Sequence, residues 1–411
     1  MVERSVYALD LGSTKVVCLA ARPGPGGEVD VRGLASVSPS GVYKGVVVDL
    51  HETVGAIQSA VRKAIQMTGD EDVDLELVVG VGGAHLEYMT GQGLVPIFPR
   101  SRPIGRDDVL QVINHSRQIV PPPGHTLIQA VPREFRIDGK RGFQKPIGQQ
   151  GERLEVDTHI ITGLSEYLRQ IEEAVQGAGY KIGLMVAVPL ASAVAVVSPR
   201  DLDEGCAVID IGAGTSSVAV FENGGLVHTG SFPIASNLVT SDVQQLLKTS
   251  ADEAERLKID FGSAMAVDVG EDEAVEVHQA GQTESRPMQR KVLCEIIESR
   301  MREIANHAMR QIERGGKSKE LGAGLLLTGG GSSIRKSAAL FEATTGLKTR
   351  AVAPKAIGTM ADLASQPGMA TAVGLAKYVL QEDEDEIAPA SAIGGWKDTI
   401  RTLKSLFSGK A

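Results

Sequence analysis

The runs YALDLGSTKVV (residues 7–17) and AVIDIGAGTSSVAVF (residues 207–221) are two copies of one pattern. Each is an apolar strand ending in Asp-x-Gly, then a turn of small residues, then a second apolar strand. Asp10 and Asp210 stand 200 positions apart, so the repeating unit is a domain rather than a solenoid repeat. The expected fold is α/β, two related domains facing one another across a cleft. Helices and strands alternate after each copy. Val54, Ile57, Val61 and Ile65 fall at helical spacing, residues 75–81 read as a strand ending in Gly82-Gly83, and 165–177 as a helix closed by glycine. Farther on, 241–258 and 291–314 read as helices, the latter with Val292, Ile296, Ile297 and Ile304 on its apolar face. Residues 325–328 read as a strand running into Gly329-Gly330-Gly331 and a helix from Ser332.

Composition narrows the function classes. With 411 residues, 42% of them hydrophobic, the chain can bury more than one core. A net charge of −9 speaks against a nucleic-acid partner. Cys18, Cys206 and Cys294 are too scattered for a disulfide framework or a zinc site and fit a reducing compartment. His115 and His125 flank a proline run without metal-ligand spacing. No apolar stretch approaches the ~18 residues of a spanning helix. The N-terminal residues, with Glu3 and Arg4 ahead of a strand, do not read as a signal peptide. Transmembrane and secreted readings are therefore set aside.

One segment departs from the alternation. Residues 84–162 carry Pro96, Pro99, Pro103 and Pro121-Pro122-Pro123 beside an alternating stretch at 125–137, the signature of a small α+β subdomain inserted in the first domain. The expected division is 1–83 with 163–196 for the first domain and 197–234 with 323–380 for the second. Residues 235–322 form a further subdomain, 381–395 a linker and 396–411 a C-terminal helix.

The glycine turns are suited to phosphate. A hairpin with glycine at its bend brings backbone N–H groups against phosphate oxygens, and small hydroxyl residues add donors without filling the space. The first loop offers Gly12, Ser13, Thr14 and Lys15; the second offers Gly212, Gly214, Thr215 and Ser216. Asp10 and Asp210, at the strand ends, can hold Mg²⁺ through its waters. A lone Asp-x-Gly hairpin is commonly just a turn. Two copies plus the third loop, Gly329, Gly330, Gly331 and Ser332, describe a nucleotide held between two domains.

These motifs resemble the actin-like ATPase superfamily and, more closely, the FtsA family of bacterial cell-division proteins. The run NLVTSD (237–242), then AERLK (254–258) and GSA (262–264), is similar to that family's second-domain signature, and PIG (146–148) with LEVDTHIITG (154–163) to the end of its inserted subdomain. The resemblance implies ATP and Mg²⁺ as cofactors, with Glu255 and Lys258 reaching ribose and base. It implies a polymer on the inner face of the cytoplasmic membrane at the division site, tethering the tubulin-like protein FtsZ and recruiting other division proteins. Residues 235–322 would capture the FtsZ C-terminal peptide through helix 291–314, with Ile297, Arg300, Met301 and Glu303 as contacts. Two positions depart from the pattern. Val188 stands where hydrolytic relatives place a water-orienting Glu before Pro189, so the enzyme expected is at most a slow ATPase. Ser236 stands where the family often has Gly.

The tail carries its own signal. In WKDTIRTLKSLFSGKA, Trp396, Ile400, Leu403 and Phe407 form one helical stripe with Leu406 beside it, flanked by Lys397, Arg401 and Lys404. Four basic residues against Asp398 in 394–411 make the tail locally cationic in an acidic chain. Such a helix lies in the interface of anionic membrane lipid, while the alternative is a helix docked on the protein's own body. Two other functions share the superfamily: a PilM-like pilus-assembly protein, and a small-molecule kinase, for which the apolar Val188 connection is unsuited.

Overall fold

The computed structural model describes residues 5–70, 75–100, 102–282, 284–316 and 321–383, the last three without their side chains. The two repeats fold identically. Strand Val6–Leu11 pairs antiparallel with Val16–Pro23, placing Asp10 opposite Val17; strand Cys206–Ile211 pairs with Ser216–Glu222, placing Asp210 opposite Ser217. Each Asp-bearing strand also has a parallel neighbour, Glu76–Val81 in the first domain and Gly324–Thr328 in the second. Six strands make the first sheet, in the order Lys181–Ala187, Glu76–Val81, Val6–Leu11, Val16–Pro23, Val29–Val37, Ala356–Ile357. Five make the second, from Gly225–Phe232 at one edge through the hairpin to Gly324–Thr328 and Thr349–Ala351.

Each sheet is covered outside by an amphipathic helix, Leu50–Thr68 on the first and Arg290–Arg314 on the second. Between the sheets run two helices, the almost wholly apolar Val188–Val196 and Ala370–Asp383. Leu190, Ala191, Val194, Val373, Leu375 and Ala376 join residues of both sheets, among them Leu19, Val208 and Leu326, in one core. The helices approach closely because small residues face each other: a Cβ on Gly374 would collide with the Ala191 carbonyl.

The residues do not all follow the expected division. Strand Ala356–Ile357 pairs with Val29 and Asp30, and helix Ala370–Asp383 lies against the first sheet, so the C-terminal part of 323–380 returns to the first domain. The helix expected over 241–258 is two, Ser236–Leu247 and Ala251–Asp260. They are broken at Lys248 in the left-handed region, with Ser250 accepting the Glu253 N–H at 3.2 Å as a new cap. No helix starts at Ser332; a single tight turn, Gly330–Ser333, precedes helix Ser337–Thr345. Val292, 37% exposed, lies off the buried face, which is Leu293, Ile297, Met301 and Ile304.

The insertion is a four-stranded antiparallel sheet, in the order Glu87–Pro96, Arg153–Leu164, His125–Ile137, Lys140–Phe143, with helix Arg106–Ser116 on one face. It also touches the second domain. His159 Nε2 and Thr229 Oγ1 are hydrogen-bonded at 2.7 Å, the Tyr88 ring stacks on His159, and burial holds the imidazole neutral by pushing its pKa down to about 3. Gln129 joins it to helix Ala370–Asp383 and to the strand end just before helix Val188–Val196: its Nε2 donates to Tyr378 Oη at 3.0 Å and its Oε1 accepts the Ala187 N–H at 2.9 Å. No described helix is long and apolar enough to cross a membrane.

The helix crossing is a packing test of this architecture. Gly374→Val should lower stability by about 1–3 kcal/mol, the usual cost of overpacking. The readout is the thermal midpoint and soluble yield; an unchanged midpoint would mean that the helices do not meet at Gly374.

Candidate functional site

The two Asp-x-Gly hairpins lie at the ends of adjacent strands of their sheets and line a single cleft of about 310 Å³. Gly12 N–H donates to Lys15 O at 3.1 Å and Gly212 N–H to Thr215 O at 3.0 Å, closing both turns in the same way. A side chain at Gly12 or Gly212 would press on those carbonyls, at 2.9 and 2.8 Å. At Gly214 a Cβ would strike Ser13, so the hairpins touch only because this residue has no side chain. At Gly329, whose φ of 82° is itself left-handed, a Cβ would run into the Asp210 carboxylate.

The cleft disfavours negative charge until something cationic enters it. Burial, and then the nearby Asp210, pushes the Asp10 carboxyl up to about 7. Burial pushes Asp210 up to about 6, against hydrogen bonds that include Thr371 Oγ1 donating to its Oδ2 at 3.3 Å. Among the described residues no group of three or more His, Cys, Asp or Glu side chains could hold a metal ion. Two desolvated carboxylates beside the backbone amides of two glycine turns fit Mg²⁺, which keeps most of its waters and needs few protein oxygens.

The lining also includes Glu255, Lys258 and Ile259 from helix Ala251–Asp260, with Gly330, Gly331, Ser333 and Ile334. Lys258 is buried, and its Nζ donates to Glu255 Oε2 at 2.6 Å and Thr240 Oγ1 at 2.9 Å. Of the residues expected in the site, Asp10, Gly12, Ser13, Thr14, Lys15, Asp210, Gly212, Gly214, Thr215, Glu255, Lys258, Gly329, Gly330 and Gly331 all line the cleft. Ser216 and Ser332 do not. Each is buried and turned inward, Ser216 Oγ donating to Ile234 O at 2.8 Å and Ser332 Oγ to Gly329 O at 2.7 Å, so they support the loops rather than face a ligand.

Val188 lines the cleft as the first residue of its helix, with no proton-transferring atom. Ser236 closes the second hairpin: its N–H and Oγ both donate to Gly212 O, at 3.1 and 2.8 Å. Sequence reading missed Gly45, Gly82, Pro367, Gly368 and Thr371 in the lining. Gly82 and the Pro-Gly pair were visible as turn signals; Thr371 carries none.

The expected partner helix needs correction. Ile297 and Met301 are fully buried under the second sheet and cannot meet a peptide. Arg300 is committed within the fold, donating to Asp242 at 2.6 and 2.9 Å and pairing with Glu303. The C-terminal stripe Trp396, Lys397, Ile400, Arg401, Leu403, Lys404, Leu406 and Phe407 lies outside the described residues.

Two related α/β domains, duplicated hairpins and a cleft between them define an actin-like protein. Solved structures of this architecture include a type IV pilus biogenesis complex of PilM and PilN (TM-score 0.62, 18% identity, 91% of this chain and 98% of that one). Another is MreB5 of Spiroplasma citri (TM-score 0.56, 13% identity, 94% and 99%). At these identities the likeness shows the fold alone. The family described as cell division protein FtsA matches residues 207–374, and the SHS2 domain inserted in FtsA matches 83–162. The cell division protein FtsA of Neisseria meningitidis is 33% identical over 374 residues, 91% of this chain and 89% of its own. That of Escherichia coli K12 is 31% identical over 412 aligned positions, 97% and 96%. The chain belongs to the FtsA family of cell-division proteins.

The raised carboxyls give a signed pH dependence. Their folded pKa values lie above those of the unfolded chain, so the native state binds more protons and its stability falls as pH rises through about 4 to 7. In magnesium-free buffer, Asp10→Asn should therefore be more stable than wild type at pH 8, by on the order of 1 kcal/mol or more. The difference should fade toward pH 4. A pH series of thermal unfolding reads this, and a variant less stable at pH 8 would contradict it.

Proposed function

We propose that the cleft binds ATP with Mg²⁺, and that the protein is a membrane-bound, polymer-forming tether for FtsZ at the division site. The observation that carries the reading is the pair of hairpins in identical register, with their two desolvated carboxylates on one cleft. The amides of Gly12–Lys15 and Gly212–Thr215 would hold phosphates, Asp10 and Asp210 the waters of Mg²⁺, and Glu255 and Lys258 the ribose and base. The ion would supply charge neutralisation for the phosphates. MreB5 of Spiroplasma citri, which has this fold, is described bound to ADP and to AMPPNP. Val188 offers nothing to orient a water, which favours a nucleotide-dependent switch over a rapid enzyme. Gly212→Val should weaken Mg·ATP binding tenfold or more, about 1.4 kcal/mol, while the protein stays folded by circular dichroism. Wild-type turnover should stay below ~1 per second. Unchanged affinity in the variant would remove the hairpin from the site.

The membrane and FtsZ functions rest on the family and on two segments. The cationic amphipathic stripe from Trp396 to Phe407 would insert into anionic lipid, and polymerisation would add the avidity that one short helix lacks. Capture of the FtsZ C-terminal peptide would use the exposed stripe of helix Arg290–Arg314, Glu295, Ser299 and Arg302, bordered by Arg300 and Glu303. Removing 396–411 should abolish flotation with anionic vesicles while Mg·ATP affinity and binding of the FtsZ peptide persist. A truncated chain that still floats would place the anchor elsewhere.

A further inference from the structure

A third turn sits against both phosphate hairpins and has no role in the function so far. Strands Val42–Tyr43 and Val46–Val47 are joined by Lys44 and Gly45, with φ of 51° and 83°, both left-handed. Gly45 suits that geometry, whereas a lysine in it is unusual. The Lys44 N–H donates to Ser13 Oγ of the first hairpin at 3.0 Å, and it would lie 3.2 Å from a Cβ on Gly214 of the second. Gly45 itself lines the cleft and packs against the Gly82 carbonyl. The turn therefore stands where the two hairpins meet.

Two features of Lys44 are otherwise unexplained. Its ammonium lies 5.3 Å from the centroid of the largely exposed Tyr43 ring, and among the described residues it has no carboxylate partner. A cation over an exposed ring is weakly held and easily drawn away. The Ser13 hydroxyl, accepting from Lys44, keeps its own hydrogen to donate elsewhere. If Glu255, Lys258 and the Gly330–Ile334 turn hold the nucleoside, as the ATP reading has it, a phosphate chain would extend from them toward Ser13 and Gly214, which line the same cleft. Its last member would then lie near the Ser13 and Gly214 contacts of the Lys44 backbone, while the ammonium, over the Tyr43 ring, stands outside the cleft lining.

We propose that Lys44 reads the terminal phosphate: its ammonium leaves the Tyr43 ring and pairs with the third phosphate of a nucleoside triphosphate, and has no such partner in a diphosphate. This rests on the reading of the cleft as an ATP site. A flexible stem with a compact charge suits the task, since lysine contacts phosphate as a point charge. The turn that carries it contacts both domains, so the distinction between the two nucleotides is registered at their junction.

The test is calorimetric titration of the full chain with Mg·AMPPNP and with Mg·ADP. Lys44→Gln should weaken Mg·AMPPNP at least tenfold and leave Mg·ADP within twofold, and Lys44→Arg should recover most of the loss. A purely structural role for the turn would weaken both nucleotides together, and that result, or an unchanged ratio, would overturn the assignment. Wild-type protein that binds neither nucleotide would overturn the ATP reading and this inference with it.

Discussion

The close crossing of helices Val188–Val196 and Ala370–Asp383 is the contact on which the rest of the molecule depends. Each sheet is covered on its outer face by its own helix, but the inner faces share one core through this pair. The helices can lie so near because the contact is made by Gly374 against the Ala191 backbone. Their N-terminal ends, Val188 on one and Ala370 and Thr371 on the other, form part of the cleft. The element that joins the domains therefore also lines the site between them. A change in the separation of the hairpins reaches the shared core directly.

The cleft itself is a compromise between binding and folding. Two carboxylates held out of water cost stability, and glycines at turns add conformational entropy to the unfolded chain. Neither would persist for packing alone. Under the proposed reading, a cation carried in with the nucleotide would offset the charge of the two carboxylates and so favour the native state.

Much of this was legible because the hairpins are local. Asp10-Leu11-Gly12 and Asp210-Ile211-Gly212 encode strand end, bend and carboxylate within a few residues, and their recurrence 200 positions apart gave the two-domain plan. What was misread depended on distant partners. Helical spacing correctly grouped Ile297 with Ile304, but it could not say that the face carrying Ile297 and Met301 is roofed by the second sheet. Ser216 and Ser332 have the same chemistry as Ser13, and only the carbonyls of Ile234 and Gly329 decide that they turn inward. Residues 241–258 hold enough apolar positions for one helix, yet Lys248 turns left-handed and Ser250 starts another. Thr371 is far in sequence from Asp210 and was invisible for that reason.

The inserted subdomain has a geometric property with a consequence for its origin. Its first and last strands are hydrogen-bonded neighbours, with Glu87 opposite Thr162. The chain leaves the first domain and returns to it at nearly the same point, about 5 Å apart, as antiparallel partners are. Joining two such ends demands little loop entropy, so a sequence encoding this piece can be gained or lost in one event without disturbing the sheet beneath. Its permanence has to come from what it touches afterwards. Here that means the His159–Thr229 bond to the second domain and the Gln129 bridge between helix Ala370–Asp383 and the end of strand Lys181–Ala187.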